Sequence, residues 1–197
     1  MIFYLSVDLA SKFSAAVLRD EDGQVRWQGD SAGRSPVEWV NTLFEVCNRL
    51  RGHTLHILVE DVPYGVSSQA MTKPVTRLQG MLMLALQDFS FYFVNPSTWM
   101  KDYEGVARAP KGLSKAESLL YRDAKALEHA AQLGYNPPDL VQQYIDSLPE
   151  GTKVLKKNTN PLEKSMTDYV MAFLINDWLV RHQDEYTTLT GVQPAYI

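Results

Sequence analysis

Ile2-Phe3-Tyr4-Leu5-Ser6-Val7-Asp8-Leu9 and Thr54-Leu55-His56-Ile57-Leu58-Val59-Glu60 are two short apolar runs rich in strand formers, each carrying an acid at or near its end. The second is almost wholly apolar, which predicts a central strand covered on both faces. Outward from the first run, residues 13–19 and 24–30 read as two more strands, with Asp20-Glu21-Asp22-Gly23 supplying the turn between them. The three form an antiparallel meander. Ser35-Pro36 opens a helix with Glu38 in its first turn. Val37, Val40, Leu43, Phe44, Val46, Cys47 and Leu50 make its apolar face, and Gly52 stops it. After a loop with Pro63 and Gly65, residues 67–88 carry a long helical pattern with Leu78, Met81, Leu82, Ala85 and Leu86 on one side. Residues 90–94 form a fifth strand. Three strands, helix, strand, helix, strand is an α/β layout.

Beyond it the chain turns helical. Ser114 with Glu117 is a capping-box pattern opening a helix over about 115–133, ended by Gly134 and Pro137-Pro138. A shorter helix follows at 139–147, then a polar stretch at 149–161. A last helix is predicted from near Pro161 to about residue 183, and a tail from about 186. All 197 residues are read as one domain, with residues 104–160 as a helical and loop insertion.

Composition narrows the classes. The chain is 45% hydrophobic and 21% charged, which predicts an ordinary globular core rather than disorder. Cys47 is the sole cysteine, so no disulfide scaffold exists, and a reducing cytoplasm is the expected location. No run is long and apolar enough to span a membrane, and the start lacks the pattern of a signal peptide, so no membrane partner is expected. The net charge of −4 excludes a generally basic nucleic-acid binder, so any polyanion must meet a local patch. Residues 62–168, with 12 basic and 11 acidic side chains, are the stretch least hostile to one.

Three acids sit inside or at the ends of apolar elements. Aspartate is depleted in strands and costly to bury unpaired, yet Asp8 ends the first strand and Glu60 the fourth. Asp168 stands in the last helix just before the apolar stretch from Tyr169 to Leu174. One such acid alone reads as a cap or surface charge. Three at the ends of core elements point to a cage for a divalent cation, with magnesium and its preference for hard oxygen ligands the expected ion. Asp61 should face the opposite side of its strand from Glu60. Lys164 and Ser165 share the helix face of Asp168, whereas Asp177 reads as a surface charge and His182 lies too far along the helix to share a metal.

In this order and context the chain resembles the RuvC family of Holliday junction resolvases, within the RNase H-like superfamily. Asp8-Leu9-Ala10-Ser11-Lys12-Phe13-Ser14 is similar to the family's first motif, with Leu9-Ala10 where the family usually has Pro-Gly. Ile57-Leu58-Val59-Glu60 resembles the second motif, and Arg77-Leu78-Gln79-Gly80 the helix that follows it. Asn95-Pro96-Ser97-Thr98-Trp99-Met100-Lys101 resembles the stretch leading to a functional lysine, and Asp168-Tyr169-Val170-Met171-Ala172 the last motif. Ser165 stands where the family commonly has another acid or a histidine. The likeness covers roughly residues 2–103 and 161–180, and length and divergence give it a phage-like character.

The resemblance implies an RNase H-like fold: a mixed five-stranded sheet, made of the antiparallel meander plus two parallel strands, flanked by helices. It implies a crossover junction endodeoxyribonuclease that cuts branched DNA, above all a four-way junction, leaving 5′-phosphate and 3′-hydroxyl ends. Two Mg2+ ions per site, replaceable by Mn2+, would be held by Asp8 bridging, Glu60 and Asp168. Lys101 would neutralise the scissile phosphate. Lys12, Lys73, Arg77, Lys115 and Lys164 are candidate DNA contacts, and Tyr64 would stack on a base at the crossover, although a role packed beneath its own loop stays open. A twofold junction implies a homodimer, with the helix at 67–88 as the interface region, though its apolar residues also read as core. Two other readings stay open: a flap or hybrid nuclease of broader taste, and a catalytically inactive DNA-binding or assembly protein of the same fold.

Overall fold

A computed structural model describes residues 1–10, 13–61, 69–183 and 195–196, with backbone alone at 69–72 and 195–196. The elements run β1 (Ile2–Asp8), β2 (Ala15–Asp20), β3 (Val25–Asp30), α1 (Pro36–Arg49), β4 (Thr54–Glu60), α2 (Gln69–Ala85) and β5 (Ser90–Val94). Then come α3 (Pro96–Trp99) with a single 3-10 turn (Met100–Asp102), α4 (Lys115–Gln132), α5 (Leu140–Asp146), α6 (Lys156–Arg181) and β6 (Ala195–Tyr196). The sheet order is β3-β2-β1-β4-β5-β6. β1, β2 and β3 pair antiparallel, while β4 joins β1 and β5 joins β4 in parallel. This is the mixed five-stranded sheet read from the sequence. The tail adds a sixth strand that sequence reading did not assign, two residues pairing in parallel with Tyr92 and Phe93 of β5. A sheet edge offers unpaired backbone groups, so even a short segment can extend the ladder.

Period two sorts the strand residues into two cores. On one face Phe3, Leu5, Val7, Leu55, Ile57 and Val59 pack under α1 and α2 with Trp39, Leu43, Leu78 and Leu82. On the other, Tyr4, Val17, Leu58, Tyr92 and Val94 pack under α6 and α4 with Tyr169, Phe173, Ala126 and Ala130. Coverage on both faces explains why β1 and β4 are nearly continuous apolar runs.

Helix α1 starts on a full capping box between Ser35 and Glu38. Helix α6 begins at Lys156, five residues ahead of the expected start near Pro161. Proline removes one helical donor, but packing on α5 supports the first turn: Asn158 Nδ2 donates to Tyr144 Oη at 3.0 Å, and Thr159 is buried. Asp177, expected at the surface, is buried instead. It pairs with Arg19 at 3.6 Å and Arg181 at 2.9 Å, and it accepts the Tyr103 hydroxyl at 2.9 Å. The turn after α3 covers this part of α6, which a helical wheel cannot anticipate. Among the described residues no helix is long and apolar enough to cross a membrane.

Candidate active site

Two hydrogen bonds set the register of α6 on the sheet. Asn176 Nδ2 donates to the Tyr4 carbonyl at 2.7 Å, and Ser6 Oγ donates to the Ala172 carbonyl at 2.6 Å. Two residues along β1 therefore match four residues back along α6. The distances agree, since two strand residues span about 6.7 Å and four helical residues about 6 Å. The next step brings Asp8 to Asp168. Strand pairing does the rest: Val7 is opposite Val59, so the parallel ladder carries Glu60 alongside Asp8. By parity Asp8 follows Tyr4 and Ser6, and Glu60 follows Leu58, onto the α6 face. Asp61 takes the opposite face, where its Oδ1 accepts from Gln79 Nε2 of α2 at 2.9 Å.

The three acids act on one another. Burial, then the Glu60 charge, raises the Asp8 carboxyl well above the usual range, and Asp8 hydrogen-bonds to Glu60. Burial also raises Glu60, against the hydrogen bonds from Asp8 and Trp99 and the charge of Arg122. Asp168 is pushed up to about 8, by burial first and then by the Asp8 charge, with Lys164 opposing. Mutual repulsion in a desolvated place is what a cation or a proton relieves.

The remaining sequence candidates divide. Lys164 is exposed but faces Asp168 electrostatically. Lys101 is not brought to the acids in this way: it is exposed on the 3-10 turn, and the cation acting on Glu60 is Arg122. Lys73 and Arg77 are exposed on α2, and Lys115 is exposed at the start of α4. Lys12 and Tyr64 lie outside the described residues. Ser165 turns its hydroxyl back to the Pro161 carbonyl at 2.9 Å.

Three neighbours escaped sequence reading. Asn95 caps the short helix α3, with Pro96 at its first position, and so turns Trp99 under the end of β4. There Trp99 Nε1 donates to Glu60 Oε1 at 3.1 Å. Arg122 and Asp123 come from α4, inside the presumed insertion. Arg122 Nε donates to the Val106 carbonyl at 2.6 Å, which anchors it beside the site. Asp123 lies one turn ahead of Ala126 on the α4 face buried against α6. Burial raises its carboxyl against the charges of Arg122 and Lys164, and its own charge in turn raises Asp168. Asn95-Pro96 was a legible helix start; the placement of α4 was not.

The donor set suits a hard divalent cation, because it is all carboxylate oxygen and each acid is destabilised in its ionised form. Among the described residues no three acidic, histidine or cysteine side chains form a ready-made metal cluster. Asp8 and Glu60 instead hydrogen-bond to each other, a contact that a cation between them would replace.

No family model and no curated protein matches the sequence. Structure comparison does find relatives in shape. RuvC of T. thermophilus in complex with a Holliday junction substrate aligns at a TM-score of 0.53 and 12% identity, over 92% of this chain and 96% of that one. A second Thermus thermophilus RuvC structure aligns at 0.52 and 14%, with the same coverage. At such identity the likeness is one of fold, and its content is definite: this chain has the architecture of RuvC, an RNase H-like fold.

Proposed function

We propose that this chain is a divalent-metal-dependent endonuclease of branched DNA, with the four-way junction as its first substrate. The observation that carries the reading is the convergence of Asp8, Glu60 and Asp168 at one end of a RuvC-like sheet, each acid raising another. The whole chain serves as one nuclease domain.

In this reading Asp8, Glu60 and Asp168 would hold two Mg2+ ions, with Asp8 shared between them and Glu60 and Asp168 each serving one. The ions would supply an activated water and charge stabilisation for the leaving 3′ oxygen, which would leave 5′-phosphate and 3′-hydroxyl ends. Mn2+ substitutes. Arg122 and Lys164 favour the ionised carboxylates of Glu60 and Asp168 against their burial, and Lys101 reaches the DNA backbone from its exposed turn. Lys73, Arg77, Lys115 and Lys164 extend the contact, with Lys12 and Tyr64 assigned to the DNA by the resemblance of their motifs. A homodimer presents two sites to the two symmetric strands of a junction.

Labelled junction, flap, duplex and RNA–DNA hybrid substrates, each incubated with Mg2+, test this. Paired nicks in the junction, without comparable cleavage of duplex or hybrid, are expected. Equal cutting of flaps or hybrids would move the substrate. No cutting of any substrate with Mg2+ or Mn2+ would leave the competing reading, an inactive DNA-binding protein of the same fold. That reading is favoured by Ser165, whose hydroxyl is committed to its own helix.

A further inference from the structure

We propose that Trp99 is a positioning residue that holds Glu60 in place for cation binding and ties it to the helix carrying Asp168. The inference rests on the metal-site reading above and deepens it.

A glutamate side chain has several rotatable bonds, so a ligand at a strand end needs a fixed partner to hold one geometry. Trp99 Nε1–H, at 3.1 Å from Glu60 Oε1, is that partner. It directs Oε1, and Asp8 hydrogen-bonds to the same carboxylate. The indole is itself immobile: it is 0% exposed, and Tyr103 packs edge-on against it with ring centroids 6.1 Å apart. The Tyr103 hydroxyl bonds in turn to α6, at 2.8 Å from the Leu174 carbonyl and 2.9 Å from Asp177 Oδ2. A continuous path, Glu60 to Trp99 to Tyr103 to α6, therefore joins two ligand-bearing elements that are remote in sequence. Arg122 clamps the same turn, with Nη2 at 3.4 Å from Met100 Sδ and Nε at 2.6 Å from the Val106 carbonyl. A buried indole does not take such a partner by default: Trp39 Nε1 is buried with no acceptor among the described residues.

The test is a Mn2+ titration, read by electron paramagnetic resonance, on the wild type, Trp99→Phe, Glu60→Gln and the double variant, with melting temperatures alongside. Phenylalanine keeps an aromatic ring and removes the N–H. Trp99→Phe is expected to weaken Mn2+ binding by about 10–100-fold, with the protein still folded but melting somewhat lower because the smaller ring leaves a void. The double variant should bind no more weakly than Glu60→Gln alone, since Trp99 acts through Glu60. Wild-type affinity in Trp99→Phe, or a loss that simply adds to that of Glu60→Gln, overturns the inference and leaves the metal site standing. A wild type that does not bind Mn2+ overturns the metal site, and this inference with it. Should Trp99→Phe not fold, replacing the indole by benzothiophene, which keeps the bicyclic shape and has sulfur in place of the N–H, gives the same comparison.

Discussion

Asp168, raised from an ordinary value of 3.8 to about 8, binds a proton in the folded chain that the unfolded chain has released. The folded state then binds more protons between these values, so the metal-free protein loses stability as pH rises from about 4 to 8. Its melting temperature in EDTA should be lower at pH 8 than at pH 5, and Asp168→Asn should flatten that dependence. Mg2+ should stabilise the wild type more at pH 8, where the carboxylates are free to bind it. Asp123→Asn removes a like charge from Asp168 and should raise the metal-free melting temperature at pH 8. Calorimetry in EDTA and in Mg2+ checks all four. Asp8→Asn, Glu60→Gln and Asp168→Asn should each reduce junction cleavage to the level of the buffer control while leaving gel-shift binding in place. At this scale the sequence was readable where the pattern is local. Strand parity separated Glu60 from Asp61, while the choice of Glu60 as the partner of Asp8 depends on the register between β1 and β4. Trp99, Arg122 and Asp123 were not readable, because their approach depends on how α3 and α4 dock.

The register between β1 and α6 carries the site. Asn176, fully buried, bridges the Tyr4 carbonyl at 2.7 Å and the Val17 carbonyl at 3.1 Å, and so ties α6 to two strands at once. Asn176→Ala leaves both carbonyls without that donor and opens a void. It should cost about 2 kcal/mol, lowering the melting temperature by roughly 4–8 °C in scanning calorimetry. Because Asp168 lies two turns from Asn176, the same variant should also slow cleavage. Strands β1 to β5 were legible to within two residues, since their apolar runs end in turn residues. The start of α6 was not: Pro161 signals a helix beginning, but contacts between Asn158 and Tyr144 carry the helix a turn and more upstream. Asp177 misled for a related reason, since its partners Arg19 and Tyr103 come from distant parts of the chain.

At the scale of the whole molecule, the proposed function requires a chain of net charge −4 to grip DNA through few cations. Junction affinity should fall steeply with salt, with a logarithmic slope of about −0.9 per phosphate neutralised. Lys73→Ala with Arg77→Ala should make that slope shallower without changing the cut positions. Leu84 on α2 is 73% exposed while Leu78 and Leu82 of the same helix go to the core, so α2 offers apolar surface as well as support. Sedimentation should find a dimer near twice 22.3 kDa. The fold itself could be read from element order, because a meander followed by two helix–strand units has few ways to close. The most direct measurement for the account as a whole is diffraction from a crystal soaked in Mn2+, recorded at a wavelength where manganese scatters anomalously. The account predicts anomalous density between the carboxylates of Asp8, Glu60 and Asp168. Full-occupancy protein density there, with Asp8 and Glu60 still paired and no anomalous peak at saturating Mn2+, would contradict it.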